Sequence, residues 1–207
     1  MKQKTTTNNL KLQGRDFINI GIFTVLFIIA YMVCVMLLSL TAYTQPFGIA
    51  AAAVLGAPVY MLLRTKTPKT GAIIIFGVLL AIIFFVMGNG WPLPTATIIG
   101  AIIAELIAKA GQYKSYKHET VGYVIFMTLS AIGSYTPMVI MRDYYIEISV
   151  ANGVDEAYME QIAMTTTVPY LVLACVVTAV MAILGTFLAR AMFKKHFVKA
   201  GLIKEVK

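Results

Sequence analysis

Long apolar runs separated by short polar turns dominate the sequence from residue 17 onward. A helix needs about 20 mostly apolar residues to cross roughly 30 Å of hydrocarbon. Six runs approach this length, and each predicts a membrane-spanning helix: 17–40, 47–63, 71–87, 91–108, 121–141 and 167–189. The second and third runs are short, so a re-entrant segment is an alternative for each. The pattern predicts an all-α, polytopic membrane protein, a six-transmembrane-helix bundle in which residues 1–207 form a single integral membrane domain.

Residues 142–166 form the one sizeable polar segment between two runs. Asn152 and Gly153 precede Asp155, and aspartate is a preferred N-cap residue. The stretch 155–164 therefore fits a short interfacial helix that could cover a site. A solvated loop is the alternative.

Composition and charge agree with the apolar pattern. Hydrophobic residues make up 59% of the chain and charged residues 13%, against about 45–50% and roughly 25% in soluble domains. With six crossings, every Lys and Arg except Arg142 falls on one side of the membrane. Arg142 shares the other side with five acids, which are Asp143, Glu147, Asp155, Glu156 and Glu160. The positive-inside rule then places both termini in the cytoplasm, and the net charge of +8 requires no nucleic acid.

Catalytic and metal-binding motifs are not found in the sequence. It contains no Gly-rich phosphate loop, nucleophile elbow or His-Glu-x-x-His motif. Cys34 and Cys175 lie in apolar runs and are predicted to be small buried hydrophobes. His118 and His196 lie in basic stretches and are predicted to be solvated. We expect no enzyme activity, no metal and no cofactor.

Glu105 is the only acid inside a predicted span, near its cytoplasmic end. Lys109 follows four residues later, which predicts an i,i+4 ion pair that reaches the interface. A role in ion coupling is the alternative.

Polar and aromatic residues cluster on the side of the membrane opposite the cations. The clusters are 88–94 (GNGWPLP), 134–145 and 165–170. Such residues at one membrane face are typical of a pocket for a flat or amphipathic small molecule, although an interfacial aromatic belt is the alternative. The predicted substrate site consists of Asn89, Trp91, Tyr135, Met138, Met141, Arg142, Tyr145 and Tyr170. Arg142 is expected either to bind a carboxylate or phosphate of the substrate or to pair with Asp143.

Four segments, in their order and spacing, resemble a known family: 11–24 (KLQGRDFINIGIFT), 88–92 (GNGWP), 140–145 (IMRDYY) and 194–201 (KKHFVKAG). The chain resembles the substrate-binding S components of energy-coupling factor transporters, and among them the Trep_Strep membrane family. The resemblance implies a six-helix bundle that captures a micronutrient from outside. It also implies three partners, a transmembrane coupling subunit and two cytoplasmic ATPases, and a toppling motion that carries the occupied pocket inward.

The resemblance also suggests a docking surface and a substrate class. S components often carry an Ala-x-x-x-Ala motif on the first helix; here Gly21, Thr24 and Ala30 stand in its place. Asn89 occupies a position where many relatives have histidine. Some relatives are associated with haem, whose iron would need Met138, Met141 or a tyrosine such as Tyr135 or Tyr144. A vitamin or another planar micronutrient is the alternative.

Two other classes of function remain open at this stage. A stand-alone secondary carrier or channel would depend on an ion gradient and on Glu105. A structural or signalling membrane protein would bind no small molecule.

Overall fold

A computed structural model describes residues 11–193 of the chain. This part contains eight α-helices and a 3-10 turn at Gln45–Phe47. The helices are α1 (Gly14–Leu38), α2 (Gly48–Lys66), α3 (Ala72–Val86), α4 (Pro92–Ala110), α5 (Tyr116–Ile140), α6 (Arg142–Ala151), α7 (Glu156–Thr165) and α8 (Val168–Met192). The predicted cytoplasmic cations at positions 2, 4 and 194–207, His196 and the segment 194–201 lie outside the described residues.

The six longest helices form a closed ring. Contacts join neighbours in the order α1, α2, α8, α5, α4, α3 and back to α1, and α2 also contacts α5 across the middle. A helix lies at each of the six predicted positions, with ends displaced by at most five residues, at the start of α5. Five of these helices are long and apolar enough to cross a membrane, while α3 is apolar but has only 15 residues. The chain is thus an all-helical, multi-pass membrane protein.

Several helix ends follow from local sequence. Asp16 accepts a hydrogen bond from the Gln13 backbone N–H at 2.7 Å and closes a capping box at the start of α1. Prolines occupy early positions in α4 and α8, where a missing N–H costs nothing. Asp155 caps α7 by accepting a hydrogen bond from the Tyr158 N–H at 2.9 Å. The predicted short helix near Asp155 is therefore confirmed.

The helix α6 was not predicted. The sequence analysis treated residues 142–154 as part of a polar connection, but Arg142–Ala151 is helical. Helices α6 and α7 contact each other, and α6 also contacts α5. Together they cover one end of the ring.

Contacts between distant turns define two ends of the bundle. At the end called here the basic end, the start of α1, the α2–α3 turn, the α4–α5 turn and the end of α8 lie together. Lys69 contacts Asp16 there at 2.6 Å, and Arg190 lies over the Tyr116 ring. At the acidic end, α6 and α7 meet the α1–α2 and α3–α4 turns. Of the cations in the described part of the chain, only Arg142 lies at the acidic end.

An aromatic cluster fills the middle of the ring. Phe27, Tyr60, Phe76, Tyr123 and Phe126 pack with ring centroids 4.8–6.3 Å apart. The Tyr123 hydroxyl donates to the Ala53 carbonyl at 2.8 Å. This layer separates the two ends, which can therefore be considered as distinct sites.

Candidate functional site

The basic end contains a buried ion pair. Arg64 on α2 is 3% exposed, and its Nε and one terminal nitrogen donate to the two carboxylate oxygens of Glu119 on α5 at 3.0 and 3.1 Å. The other terminal nitrogen donates to the Thr67 carbonyl at 3.1 Å. The guanidinium also lies over the Tyr113 ring, 5.2 Å from its centroid. This bidentate geometry, with further partners, is what a buried ion pair needs to offset its desolvation.

Glu105 corrects one prediction from the sequence. Its carboxylate accepts hydrogen bonds from the Gly71 and Ile73 backbone N–H groups, both at 3.0 Å, and from the Tyr113 hydroxyl. These amides belong to the first turn of α3, where N–H groups lack partners within the helix. The predicted pair with Lys109 does not form, since Glu105 is buried and caps a neighbouring helix instead. Burial raises the pKa of Tyr113, which lies in the turn before α5.

The α6–α7 cover is anchored to the acidic end by hydrogen bonds and apolar contacts. The Tyr158 hydroxyl donates to the Ser39 carbonyl at 2.6 Å, which ties α7 to the end of α1. Met159 and Ile162 pack with Met138 and Ala42 in a small buried cluster beneath α7. Because these contacts join the cover to α1, α5 and the α1–α2 turn, it forms part of the folded end.

The turn between α3 and α4 meets α6 closely. Gly90 has φ +63, and a Cβ placed there would lie 2.6 Å from the Tyr144 hydroxyl oxygen. Glycine suits this left-handed backbone, and any larger residue would also have to displace the Tyr144 side chain. The Asn152 side chain at the end of α6 likewise lies against Gly88. The GNGWP segment (88–92) therefore packs closely against α6 and fixes its position.

A cavity of about 110 Å³ lies beside the contact between the α3–α4 turn and α6. It is enclosed by α1, the 3-10 turn, α2, the end of α3, α5 and α6. Its lining consists of three tyrosines, three methionines, three other polar residues and two aliphatic residues. In that order they are Tyr31, Tyr135 and Tyr145; Met32, Met36 and Met87; Gln45, Asn89 and Ser134; Val35 and Ile49. Every side chain in this lining is uncharged at neutral pH, because the lining contains no Asp, Glu, Lys, Arg or His. Burial also raises the pKa of the Tyr145 hydroxyl to about 12.

Two residues in the lining of this cavity carry a buried polar atom without a partner. Tyr135 is 2% exposed, and its hydroxyl is buried without a hydrogen bond. The Ile49 backbone amide is near the hydroxyl but does not meet hydrogen-bonding geometry. The Gln45 side-chain oxygen is also buried and unpartnered. A buried polar group without a partner costs about 1–3 kcal/mol, so two in the lining of one cavity make it the candidate site.

Other buried side-chain atoms without partners are dispersed through the described residues, and the Tyr60 hydroxyl in the aromatic layer is one example. The cavity differs because Tyr135 and Gln45 both line the same space. This coincidence favours it over the pocket of about 70 Å³ beside Arg64 and Glu119, whose charged groups already have partners.

Three of the predicted site residues meet at the cavity: Asn89, Tyr135 and Tyr145. They come from the α3–α4 turn, α5 and α6. Asn89 also donates to the Phe84 carbonyl at 3.1 Å and so caps the end of α3. The sequence therefore indicated part of this site, although its role in binding remains a prediction.

The other predicted site residues lie elsewhere at the same end. Trp91 is 52% exposed and outside the cavity lining. Met138 is 4% exposed and packs beneath α7, and Tyr170 packs on Phe47 and donates to the Tyr43 carbonyl. Met141 and Arg142 lie at the α5–α6 junction, where Arg142 is exposed. The structure shows no ion pair between Arg142 and any described residue.

The predicted docking residues differ in accessibility. Thr24 is buried and donates to the Ile20 carbonyl at 2.8 Å, so it faces the inside of the bundle. A Cβ at Gly21 would meet nothing within 4 Å, and Ala30 is partly exposed. The exposed face of α1 is otherwise formed by large apolar side chains such as Ile22, Leu26 and Ile29.

The sequence analysis missed Gln45, Tyr31 and the methionines. Gln45 is one polar residue in a six-residue turn, which is unremarkable by itself. Tyr31, Met32 and Met36 lie inside a run that reads as lipid-facing helix, and their i, i+1 and i+5 spacing gives no pocket signal. Only the ring arrangement, which brings α1 beside α3, turns them toward one space.

Fold and site together define an all-helical, multi-pass membrane protein with a small, uncharged cavity at one end of its bundle. A family model for Trep_Strep, described as a hypothetical bacterial integral membrane protein, matches residues 14–199, and the chain belongs to this family. No curated protein and no solved structure matches the chain.

Proposed function

We propose that the chain is the substrate-capture subunit, or S component, of an ATP-driven importer of the energy-coupling factor type. The observation that carries the proposal is the cavity at the acidic end, where Tyr135 and Gln45 hold unpartnered polar atoms. A binding subunit needs such a site, and it takes its energy from other subunits. The substrate is a micronutrient, and the resemblance of the sequence to S components supplies the class of importer.

The orientation follows from charge. The basic end holds all the described cations except Arg142, and positive charge favours the cytoplasmic side. We place the acidic end and its cavity outside, with both termini in the cytoplasm. Helix α3 then serves as a sixth crossing, because it starts at the basic end beside Glu105 and ends at the acidic end beside Asn152.

Labelling with a membrane-impermeant maleimide tests this orientation. Both natural cysteines are first removed by Cys34→Ala and Cys175→Ala. In this background the Asp155→Cys variant should react in intact cells, whereas the Lys117→Cys variant should react only after lysis. The opposite pattern would place the cavity in the cytosol and end the proposal of outside capture.

The partners are a transmembrane coupling subunit and two cytoplasmic ATPases. The exposed apolar face of α1, which includes the open position at Gly21, is the docking surface that the resemblance to S components suggests. Gly21→Trp should prevent association there, with Gly14→Trp, also in open space but at the helix end, as the matched control.

The decisive experiment is co-purification from native membranes in mild detergent, combined with uptake in reconstituted vesicles. We expect the tagged chain to bring down a membrane partner and ATPases, and uptake to require ATP hydrolysis. Isolation of the chain alone, together with uptake that needs no ATP, would contradict the proposal.

A stand-alone carrier or channel is the alternative function. It would use Glu105 for ion coupling, but the Glu105 carboxylate already accepts hydrogen bonds from two backbone amides of α3. This arrangement gives the residue a structural role. Uptake driven by an ion gradient in vesicles that contain only this chain would favour the alternative.

A further inference from the structure

The cavity at the acidic end also restricts the chemistry of its ligand, on the premise that it is the capture site of the proposed function. We infer that the ligand, or the part of it that enters the cavity, is a small uncharged ring bearing an amide-like edge, with a hydrogen-bond donor and acceptor. Size, charge, polar groups and wall chemistry each contribute to this inference.

Size limits the occupant to about one ring. The cavity has a volume of about 110 Å³, whereas a buried cavity of roughly 150 Å³ accepts one benzene molecule. Pockets for drug-sized ligands and cofactors span about 300–1,000 Å³. A tetrapyrrole therefore does not fit this cavity, and haem is not the ligand that we expect here.

Charge excludes anions from the inner cavity. Its lining contains no Asp, Glu, Lys, Arg or His. A carboxylate or phosphate placed there would lose its hydration without gaining a cation, which is a large cost in a buried site. Arg142 lies outside the lining and is exposed, so it cannot serve as that cation in this arrangement.

The two unpartnered atoms specify complementary groups. The Gln45 carboxamide oxygen accepts hydrogen bonds, so a donor on the ligand would satisfy it. The Tyr135 hydroxyl can donate, so the ligand must supply an acceptor. A ring amide, in which N–H and C=O are adjacent, carries both on one edge and remains neutral.

The walls favour a flat ring. Tyr31 and Tyr145 offer aromatic surfaces, and Met32, Met36 and Met87 offer thioethers. Aromatic pairs and sulfur–aromatic contacts each add attraction beyond that of area burial. An aliphatic chain of equal volume would gain less from these walls.

Binding of defined probes to the purified chain in detergent tests the inference. The neutral probes are 2-pyridone and uracil, which are ring amides, and nicotinamide, which carries an amide on an aromatic ring. Orotate and nicotinate are their anionic counterparts, and toluene is the apolar ring. We expect at least one neutral amide to bind in calorimetry and to raise the melting temperature. Its Kd should be at least about ten-fold lower than those of the anions and toluene, because one well-formed buried hydrogen bond is worth about that factor.

Variants assign the binding to the cavity. Tyr135→Phe and Gln45→Leu should each weaken the best neutral probe about ten-fold. Tyr135→Phe should leave the melting temperature of the free protein unchanged or raised, since the hydroxyl it removes has no partner. The matched control is Tyr158→Phe, which removes a hydroxyl bonded to Ser39 at the same end and should lower the melting temperature without changing probe affinity.

Three outcomes would overturn the inference: no neutral amide binds, the anions bind more tightly, or Tyr135→Phe leaves affinity unchanged. Co-purification of the coupling subunit and ATPases is measured separately and without added probe. If the complex assembles while the probes fail, only the ligand class is wrong. If the probes bind at Tyr135 but no complex assembles, the importer assignment fails and the cavity chemistry stands.

Discussion

The two ends of this bundle differ in what their buried polar groups contact. At the basic end, Arg64 and Glu119 satisfy each other, and Glu105 satisfies the start of α3. The Arg190 Nε and the Thr67 hydroxyl at this end are buried without partners, but neither residue lines the cavity beside Arg64 and Glu119. At the acidic end, Tyr135 and Gln45 remain unpartnered beside a cavity. The bidentate ion pair and the Glu105 cap indicate that polar groups at the basic end stabilise the fold, whereas the proposed function assigns Tyr135 and Gln45 to ligand binding.

The buried ion pair should give the largest effect on stability. Arg64→Ala or Glu119→Ala leaves one charge buried without its partner, and we expect a loss of about 3–5 kcal/mol in the free energy of unfolding. Unfolding in mixed micelles measures it. The double variant Arg64→Met with Glu119→Leu should recover much of the loss because neither charge remains.

Lys117→Ala, at an exposed position on the first turn of α5, is the control and should change little. If the single variants lost less than about 1 kcal/mol, the pair would behave as a solvated surface pair, and the contrast between the ends would weaken.

Glu105 should give the next largest effect. Glu105→Ala leaves the Gly71 and Ile73 N–H groups without an acceptor, and hydrogen bonds to a charged group are worth about 2 kcal/mol. The same unfolding measurement applies, and hydrogen exchange should quicken at the start of α3. The matched control is Glu160→Ala, which removes an exposed carboxylate from the outer face of α7. Normal stability with loss of ion-driven uptake would instead support the carrier alternative.

Substitutions where the α3–α4 turn contacts α6 should have a moderate and local effect on stability. Gly90→Ala must hold a left-handed backbone at a cost of about 1–2 kcal/mol and must also displace Tyr144. Gly153→Ala has φ +86 and meets nothing within 4 Å, so it carries the strain without the contact. We expect faster hydrogen exchange in α6 for Gly90→Ala than for Gly153→Ala. Equal exchange would show that the contact with Tyr144 does not hold α6.

The smallest effects should come from Trp91 and Arg142. Both are exposed and outside the cavity lining, so Trp91→Ala and Arg142→Ala should change stability by no more than about 0.5 kcal/mol. Both should bind the best neutral probe with wild-type affinity. A clear loss of affinity in either variant would move the site toward the rim that the sequence analysis favoured.

The sequence predicted the long helices well because lipid imposes a simple rule of length and hydropathy. It missed α6 because Asp143 and Glu147 flank the short stretch Tyr144 to Ile146, which leaves no long apolar run. It misassigned Glu105 because sequence shows only near neighbours such as Lys109. The actual partners, Gly71 and Ile73, are more than 30 residues away along the chain.

The candidate site was predictable only where its residues lie at the ends of apolar runs. Asn89, Tyr135 and Tyr145 stand out there by their polarity. Gln45 and Tyr31 reach the same cavity through helix packing, which no local pattern records. Met138 and Tyr170 also lie near the ends of apolar runs, but Met138 packs beneath α7 and Tyr170 hydrogen-bonds to Tyr43.

The brevity of α3 has a consequence for the surrounding bilayer. Its 15 residues span about 22 Å, which is less than the roughly 30 Å of a typical hydrocarbon core. A crossing helix this short draws the lipid headgroups inward on its flank. Met87 and Asn89 line the cavity at one end of α3. With α3 as the proposed sixth crossing, the water boundary would dip toward the candidate site and shorten the apolar distance that a solute must travel.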